Sequence, residues 1–182
     1  MNYHDIRTDD MLNGEGLRVV LFVSGCNHYC YNCQNPQTWD CNNGIPFTKD
    51  SINEILEKLN KDYISGLTLS GGDPLNENNI KEVLKLCKIV KDKYPDKTVW
   101  LYTGYKWEQL ILPIITDDLS LIRDNNVKMR LEILQLCDVL VDGKYVESLN
   151  DINYAWAGST NQRVIDIKKT LDNNNIPVLY CE

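Results

Sequence analysis

The stretch of sequence that decides the fold is residues 18–33, which read RVVLFVSGCNHYCYNC. Its first six residues, up to Val23, are almost all apolar and rich in valine, which is typical of a strand buried on both faces. The chain then carries three cysteines, Cys26, Cys30 and Cys33, at the spacing C-x3-C-x2-C. A buried strand therefore delivers three thiols to a single loop.

Further apolar, β-branched runs predict four more strands, at residues 67–70, 99–102, 139–141 and 164–167. Between the strands, apolar residues recur at helical spacing in two stripes, which are Ile52, Ile55, Leu56 and Leu59, and then Ile80, Val83, Leu84 and Cys87. Thr48 or Ser51 can cap the first of these helices. Alternation of strand and helix predicts an α/β fold with a mainly parallel sheet. With 182 residues and no linker or repeat, we expect residues 1–182 to form a single domain.

The pattern weakens in the second half of the chain. Pro113 interrupts a third helical stripe formed by Trp107, Leu110, Ile111 and Ile114. Residues 117–126 are polar and are interpreted as a surface insertion, either a solvated loop or a contact for a partner. Another helix is expected at residues 127–136.

Composition excludes several classes of function. The formal net charge is -7 and 43% of the residues are apolar, while no apolar run approaches the roughly 18 residues that span a bilayer. The start, MNYHDIRTDD, lacks the basic and apolar regions of a secretory signal. An acidic chain has the wrong charge for coating phosphate backbones or anionic lipid. We therefore expect a cytoplasmic protein with neither nucleic acid nor membrane as a partner.

Seven cysteines in a cytosolic chain do not predict disulfides, because that compartment keeps thiols reduced. Cys87 and Cys137 lie among apolar residues and are expected in the core. Cys41 and Cys181 suggest no role. The three closely spaced cysteines instead predict a metal site, since thiolates are the usual ligands of iron-sulfur clusters.

Three thiolates on a four-iron cluster leave one iron open, and an open coordination position is typical of a metal site that performs chemistry. One alternative is a zinc site with Cys41 or His28 as the fourth ligand. Another is a ferredoxin-type electron carrier, but that needs a fourth cysteine at a matching spacing, which the sequence does not offer.

A second motif is LTLSGGDPL, at residues 67–75. A buried strand here ends in Gly71 and Gly72, followed by Asp73, and strand ends of this kind carry the sites of α/β proteins. Glycines let a ligand approach the backbone closely, and exposed carbonyls beside a carboxylate suit a cationic ammonium group. The alternative is an ordinary turn.

Both motifs together resemble the signature of the radical S-adenosylmethionine superfamily. More of the chain is similar to one family within it, the proteins that activate anaerobic ribonucleoside-triphosphate reductases. The segments that carry this resemblance are MNYH at 1–4, NG at 13–14, LFVSGC at 21–26, PFT at 46–48, SGGDPL at 70–75, TGY at 103–105, VLVDGK at 139–144 and GSTNQ at 158–162.

The resemblance implies a shortened, laterally open partial (β/α) barrel that binds a 4Fe-4S cluster and S-adenosyl-L-methionine. In this superfamily an electron from reduced flavodoxin or a similar donor cleaves the sulfonium bond. The 5'-deoxyadenosyl radical that forms removes a hydrogen from a glycine of the partner, here the large subunit of the anaerobic ribonucleoside-triphosphate reductase. The rival functions are an activase of another glycyl-radical enzyme such as pyruvate formate-lyase, a small-molecule radical enzyme such as a deazaguanine synthase, and a non-catalytic zinc or iron-sulfur module.

The resemblance also implies roles for particular residues. By this similarity Cys26, Cys30 and Cys33 ligate the cluster, the backbone of Asn32, Cys33 and Gln34 lies against the adenosyl group, and Gly72 takes the methionine ammonium together with Gly71 and Asp73. Asp142 and Lys144 order the cofactor or the entering glycine loop, unless they form only a turn after a strand.

Two positions depart from the family pattern. An aromatic residue often precedes the third cysteine, whereas this chain has Asn32 there and Tyr31 one position earlier. Arginine often precedes the Gly-Ser pair near the C-terminus, whereas this chain has Ala157, with Arg163 a few residues later.

Overall fold

The computed structural model describes residues 1–116 and 118–181. They form a mixed, seven-stranded sheet in the order β3-β1-β2-β4-β5-β6-β7. The strands are β1 (Asn2–Asp10), β2 (Leu17–Val23), β3 (Ile45–Pro46), β4 (Ile64–Gly71), β5 (Thr98–Tyr102), β6 (Val139–Asp142) and β7 (Arg163–Asp166). The four strands β2, β4, β5 and β6 are parallel to one another, while β1, β3 and β7 pair antiparallel with their neighbours. The sheet is open, because β3 and β7 lie at opposite ends of it.

Six α-helices accompany the sheet in the described residues. They are α1 (Lys49–Leu59), α2 (Ile80–Lys93), α3 (Trp107–Ile115), α4 (Leu119–Arg123), α5 (Asn125–Leu136) and α6 (Ile167–Asp172). The hydroxyl of Thr48 caps α1, and Ser51 completes the capping box by accepting from the Thr48 amide (3.2 Å). The model contains no helix that is both long and apolar enough to cross a membrane, among the residues it describes.

The two faces of the sheet differ, because side chains alternate along each strand. One face packs under the helices and forms the main core, with β-strand residues Val19, Leu21, Val23, Leu67, Leu69, Val99, Leu101, Leu140 and Ile165. We call the other the open face, and it carries Arg18, Phe22, Thr68, Ser70, Trp100, Tyr102, Val139, Val141 and Val164. Part of it is covered by Trp156 and Tyr180, which pack edge-to-face on Trp100.

A buried arginine holds the amino ends of three strands together on the open face. The guanidinium of Arg18 donates to Thr68 Oγ1 (2.7 Å), to the carbonyls of Leu67 (2.8 Å), Thr98 (3.0 Å) and Glu15 (3.1 Å), and to Thr98 Oγ1 (3.0 Å). It also lies 5.3 Å from the Trp100 ring centroid. Burial lowers the pKa of Arg18 to about 10, so the side chain is charged at neutral pH. It is held by neutral oxygens and an aromatic face.

The two ends of the sheet differ, because a short strand borders only the first two residues of β1 at one end and the other end is covered. β3 has only two residues, and one of them is Pro46, which has no amide hydrogen. At the other end, residues 178–180 run beside β7. There the Asp166 amide donates to Val178 O (2.9 Å) and the Tyr180 amide donates to Val164 O (2.8 Å).

The structure confirms the α/β class and the five expected strands, with small changes in their bounds. The expectation that Pro113 interrupts its helix is wrong, because α3 continues through it and ends at Ile115. The proline removes only the backbone bond to Gln109 O, and the helix continues until the Thr116 amide bonds Leu112 O (3.0 Å). Within the polar stretch 117–126, α4 forms and α5 begins, while Asp117 lies outside the described residues.

Candidate functional site

The three cysteines lie on a loop that leaves the carboxyl end of β2. We call residues 26–33 the cysteine loop. Just before it, Gly25 has φ +103°, a conformation that favours glycine. The Gly25 amide donates to Thr38 O (2.7 Å) and the Cys26 amide to Trp39 O (3.0 Å). The beginning of the loop is therefore fixed by the chain that follows it.

Two left-handed residues make the loop double back between its cysteines. Tyr29 has φ 48° and Asn32 has φ 52°. The turn between the second and third cysteines is closed by a bond from the Cys33 amide to Cys30 O (3.1 Å). The Asn35 amide donates to Cys33 Sγ (3.4 Å), which fixes the orientation of this side chain.

All three thiols are partly exposed. Burial raises the pKa of Cys26 to about 11, and it also raises the pKa of Cys30. The thiols of Cys26 and Cys30 are therefore protonated at neutral pH until a metal displaces their protons.

Across residues 1–116 and 118–181, no three His, Cys, Asp or Glu side chains converge as the ligands of one ion do. Ligands of one zinc lie about 2.3 Å from it, so their sulfurs have to meet closely. Thiolates that bind different irons of one cluster do not have to meet at a point. His28, one suggested fourth zinc ligand, is instead bonded to Asp73.

The glycine pair lies directly against the start of the cysteine loop. The Gly72 amide donates to Val23 O (2.7 Å) and the Asp73 amide donates to Gly25 O (2.8 Å). A Cβ on Gly71 would lie 2.7 Å from the Phe22 backbone, and a Cβ on Gly72 would lie 2.6 Å from Gly25 O. The absence of both side chains thus lets the ends of β2 and β4 touch.

The carboxylate of Asp73 is buried, with 1% of the residue exposed. It accepts hydrogen bonds from the Leu75 amide (2.8 Å), the Thr103 hydroxyl (2.9 Å) and the Gly104 amide (3.2 Å), and it lies 2.5 Å from His28 Nε2. This differs from the expectation of a carboxylate beside exposed carbonyls. The side chain is bonded within the protein rather than turned toward a ligand.

Lys144, after β6, lies beside the cysteine loop. Its ammonium donates to His28 O (3.3 Å). The backbone of Tyr145 and the charge of Lys144 both lower the pKa of Cys30, against the larger effect of burial. The Asn32 amide group also bonds to Glu147. The loop after β6 therefore packs on the second half of the cysteine loop.

Asp142 lies elsewhere. It is buried, with 1% exposure, and it accepts from the Trp107 amide (2.7 Å) and from the guanidinium of Arg163 (Nε, 3.0 Å). Arg163 in turn binds both oxygens of Glu108 at 2.9 Å and thereby lowers the pKa of Glu108. Asp142 thus joins β6, β7 and α3, and the structure does not bring it to the thiols.

A cleft of about 590 Å³ opens on the open face beside the cysteine loop. This volume suits a small cofactor. Among the expected site residues, Cys33 and Gln34 line it. Its other walls include Phe22, Ser70, Tyr102, Tyr145, Ala157, Gly158 and Gln162. Ala157 thus faces the cleft, whereas the nearby Arg163 is bonded to Asp142 and Glu108.

Two residues at the site were missed in the sequence, Tyr102 and Gln162, while His28 was considered only as a zinc ligand. Gln162 accepts from the Gly158 amide (3.0 Å) and the Ser159 amide (3.1 Å) and donates to Gly143 O (2.9 Å). It lies in the GSTNQ segment at residues 158–162, which indicated the family but no role for this glutamine. Tyr102 ends β5 and donates to Trp156 O (2.7 Å), so its place at the carboxyl end of a strand was the available signal.

Comparison with known proteins first gives a class. Residues 12–165 match the model of a 4Fe-4S single cluster domain, a range that contains the whole cysteine loop and the cleft residues from Leu12 to Gln162.

The particular family follows from three relatives, each an anaerobic ribonucleoside-triphosphate reductase-activating protein. The relative from Enterobacteria phage T4 is 43% identical over 164 residues, covering 90% of this chain and 93% of the relative. The one from Escherichia coli K12 is 42% identical over 166 residues (90% and 97%), and the one from Vibrio cholerae is 40% identical over 164 residues (89% and 96%). The chain belongs to the family of anaerobic ribonucleoside-triphosphate reductase-activating proteins, as the sequence resemblance indicated.

Proposed function

We propose that this chain is a radical S-adenosylmethionine enzyme that activates the large subunit of an anaerobic ribonucleoside-triphosphate reductase by forming a glycyl radical on it. Residues 1–182 form a single domain, and the open sheet is a shortened, laterally open partial barrel of the radical S-adenosylmethionine type. The observation that carries the proposal is one loop with three thiols beside a cleft, in a chain of this family.

The residues present fit a 4Fe-4S cluster. Cys26, Cys30 and Cys33 supply three thiolates from one loop, and their partial exposure leaves room for the irons. A bound cluster would supply the electron for reductive cleavage of S-adenosyl-L-methionine to methionine and a 5'-deoxyadenosyl radical, which would take the glycine hydrogen. A reduced flavodoxin or a similar donor delivers this electron.

The chain itself binds and orients the cofactor in the cleft. The backbone of Asn32, Cys33 and Gln34 lies against the adenosyl group, and Cys33 and Gln34 already line the cleft. Gly71 and Gly72 offer their backbone to the methionine ammonium, while the Asp73 carboxylate behind them adds negative charge. Gln162 holds the segment that forms the far wall.

Lys144 and Asp142 act in different ways. The ammonium of Lys144 lies over the cysteine loop, where its positive charge favours the reduced state of the site. Asp142 acts only indirectly, by fixing Arg163 and α3, so that the loop after β6 keeps its place.

The cleft alone does not exclude water, because it is open on one side. A carbon radical has to form within roughly 3 to 4 Å of its target hydrogen and away from water. We therefore propose that the glycine loop of the reductase completes the site. Cleavage of the cofactor without the reductase is then slow. The protein works in the cytoplasm and needs neither nucleic acid nor membrane.

The test is anaerobic reconstitution with iron and sulfide, reduction, addition of S-adenosyl-L-methionine and measurement of 5'-deoxyadenosine. Cys30→Ala removes one ligand and abolishes the product, whereas Cys181→Ala, which alters an exposed cysteine outside the loop, leaves it unchanged. A glycyl radical signal in the reductase, detected by electron paramagnetic resonance, identifies the partner.

Other outcomes overturn the proposal in distinct ways. A colourless protein that binds zinc and cleaves nothing is a structural metal module. A protein that cleaves the cofactor but activates only pyruvate formate-lyase is an activase of another glycyl-radical enzyme.

A further inference from the structure

His28 lies midway between the first two cysteines, yet its side chain is only 11% exposed. The ring points toward the carboxyl ends of β4 and β5. There Nε2 lies 2.5 Å from Asp73 Oδ2, and the ring packs edge-to-face on Tyr105 with centroids 4.8 Å apart. The exposed neighbours of His28, Asn27 and Tyr29, make no such contact with these strand ends. One side chain therefore joins the middle of the cysteine loop to the sheet.

Gly104 provides the space for this ring. A Cβ on Gly104 would lie 2.3 Å from the His28 ring, so any larger residue there would push the ring away. The ring is thus enclosed by Gly104 and Tyr105 and directed onto a single acceptor. Such a fit fixes both the position and the orientation of His28.

The acceptor is itself immobilised from two strands. Asp73 follows β4, and it accepts from the Thr103 hydroxyl (2.9 Å) and the Gly104 amide (3.2 Å) at the end of β5. Its backbone carbonyl accepts from Asn79 Nδ2 (2.9 Å), which also donates to Ser24 O (2.8 Å). A buried carboxylate with this many donors is a rigid attachment point.

We propose that His28 is a positioning residue of the cysteine loop and that Asp73 acts through it. The pair fixes the loop between Cys26 and Cys30 before any cluster binds, so the thiols are held near the positions that the irons require. The inference rests on the proposed function for the identity of the group that is bound. It reassigns the Asp73 carboxylate from contact with the cofactor ammonium to support of the metal loop.

The experiment separates the hydrogen bond of His28 from the shape of its ring. His28→Phe keeps an aromatic ring against Tyr105 but has no donor for Asp73, whereas His28→Gln keeps a donor. Asn27→Ala is the matched control on the same loop, since Asn27 is exposed. The first readout is hydrogen exchange of the Cys33 amide in cluster-free protein. The second is the iron content of the reconstituted protein, together with the electron paramagnetic resonance spectrum of the reduced cluster before and after addition of S-adenosyl-L-methionine.

We expect the Cys33 amide to exchange about 10- to 100-fold faster in His28→Phe, as loss of a charged hydrogen bond allows. Iron content falls at least about twofold, and the spectrum broadens, because the loop samples several arrangements. In His28→Gln, the Cys33 amide exchanges at a rate within about threefold of the wild-type rate. In the His28→Phe background, Asp73→Asn does not raise the exchange rate of the Cys33 amide further, because the Asp73 side chain contacts the cysteine loop through His28.

The inference would be overturned if the Cys33 amide in His28→Phe exchanged at the wild-type rate and the spectrum of the reduced cluster were unchanged. The proposed function would then remain intact. Additive effects of His28→Phe and Asp73→Asn on the exchange rate of the Cys33 amide would overturn the inference as well. If the wild type itself takes up no iron, the proposed function fails, and the exchange data still report on the loop. If His28→Phe does not fold, the comparison of His28→Gln with Asn27→Ala decides, and loss of iron in His28→Gln despite native exchange contradicts the inference.

Discussion

Asp73 and Asp142 are alike in sequence context but differ in what they hold. Asp73 follows the buried parallel strand β4, Asp142 is the last residue of the buried parallel strand β6, and each is 1% exposed. Asp73 bonds to His28 on the cysteine loop, whereas Asp142 bonds to Arg163 and the first turn of α3. The difference teaches that a carboxylate at a strand end can serve either the site or the scaffold. Its partners decide which role it has, and its exposure does not.

The largest effect expected from this comparison concerns stability. Asp142→Ala should lower the free energy of unfolding by about 3 kcal/mol, because it removes a buried partner of Arg163 and leaves the Trp107 amide unpaired. Iron bound per folded molecule should stay at the wild-type level. Urea unfolding of the cluster-free protein and iron analysis measure the two quantities.

The control for this prediction is Glu108→Ala, which removes the exposed partner of the same arginine and should cost less than about 1 kcal/mol. A loss of iron in folded Asp142→Ala would show that Asp142 belongs to the site after all.

The glycines beside the two aspartates give a second, smaller contrast. A Cβ at Gly72 would lie 2.6 Å from Gly25 O, while at Gly143 the nearest atom is 3.9 Å away and only the φ of +95° opposes a side chain. Gly72→Ala should therefore cost about 2 kcal/mol and reduce iron uptake, because it separates the loops. Gly143→Ala should cost about 1 kcal/mol and leave iron uptake unchanged. Equal iron uptake in both variants would contradict this contrast.

A smaller effect is expected from Lys144, whose ammonium donates to His28 O. Lys144→Ala should lower the midpoint potential of the bound cluster by about 20 to 50 mV, because removal of a nearby positive charge disfavours the added electron. An anaerobic redox titration followed by electron paramagnetic resonance measures the potential. Lys144→Arg should remain within about 10 mV of the wild type, and an unchanged potential in both variants would place the ammonium away from the cluster.

The smallest expected effect is a pH dependence of the free energy of unfolding, caused by Glu108, which shares Arg163 with Asp142. Arg163 lowers the pKa of Glu108 below its ordinary value of 4.5. The folded state therefore binds the proton less readily than the unfolded chain, so this contribution is present above that value and is lost as the pH falls through the folded pKa. Because Glu108 is half exposed, the loss should be less than about 1 kcal/mol. Urea titrations of the wild type and Glu108→Gln between about pH 6 and 3 should converge at low pH, and parallel curves would exclude the effect.

The central part of the fold could be predicted from the sequence, because its strands are buried and apolar. β1 was missed, since NYHDIRTDD is largely polar and only Tyr3 and Ile6 bring apolar side chains into the core. It is a strand because it pairs with β2, and such pairing is a tertiary effect that local propensity does not report. Likewise, the two residues of β3 carry too little pattern to be recognised.

The cysteine loop could be recognised because its three thiols are close in sequence. The link between His28 and Asp73 spans 45 residues and depends on the register of β4 and β5, so no local pattern contains it. The face of the sheet on which Asp142 lies, in contrast, could be predicted from the sequence. Val139 and Val141 share one face of β6, so Leu140 and Asp142 had to point to the other, away from the open face.

The edges of the sheet have a consequence for how other molecules can approach. β3 has two residues, one of them Pro46, and residues 178–180 already occupy the outer side of β7. An extended segment of another chain thus finds the outer side already occupied at the β7 end, whereas among the described residues no strand lies on the outer side of residues 4–10 of β1. The occupied β7 end is thereby protected against edge-to-edge aggregation.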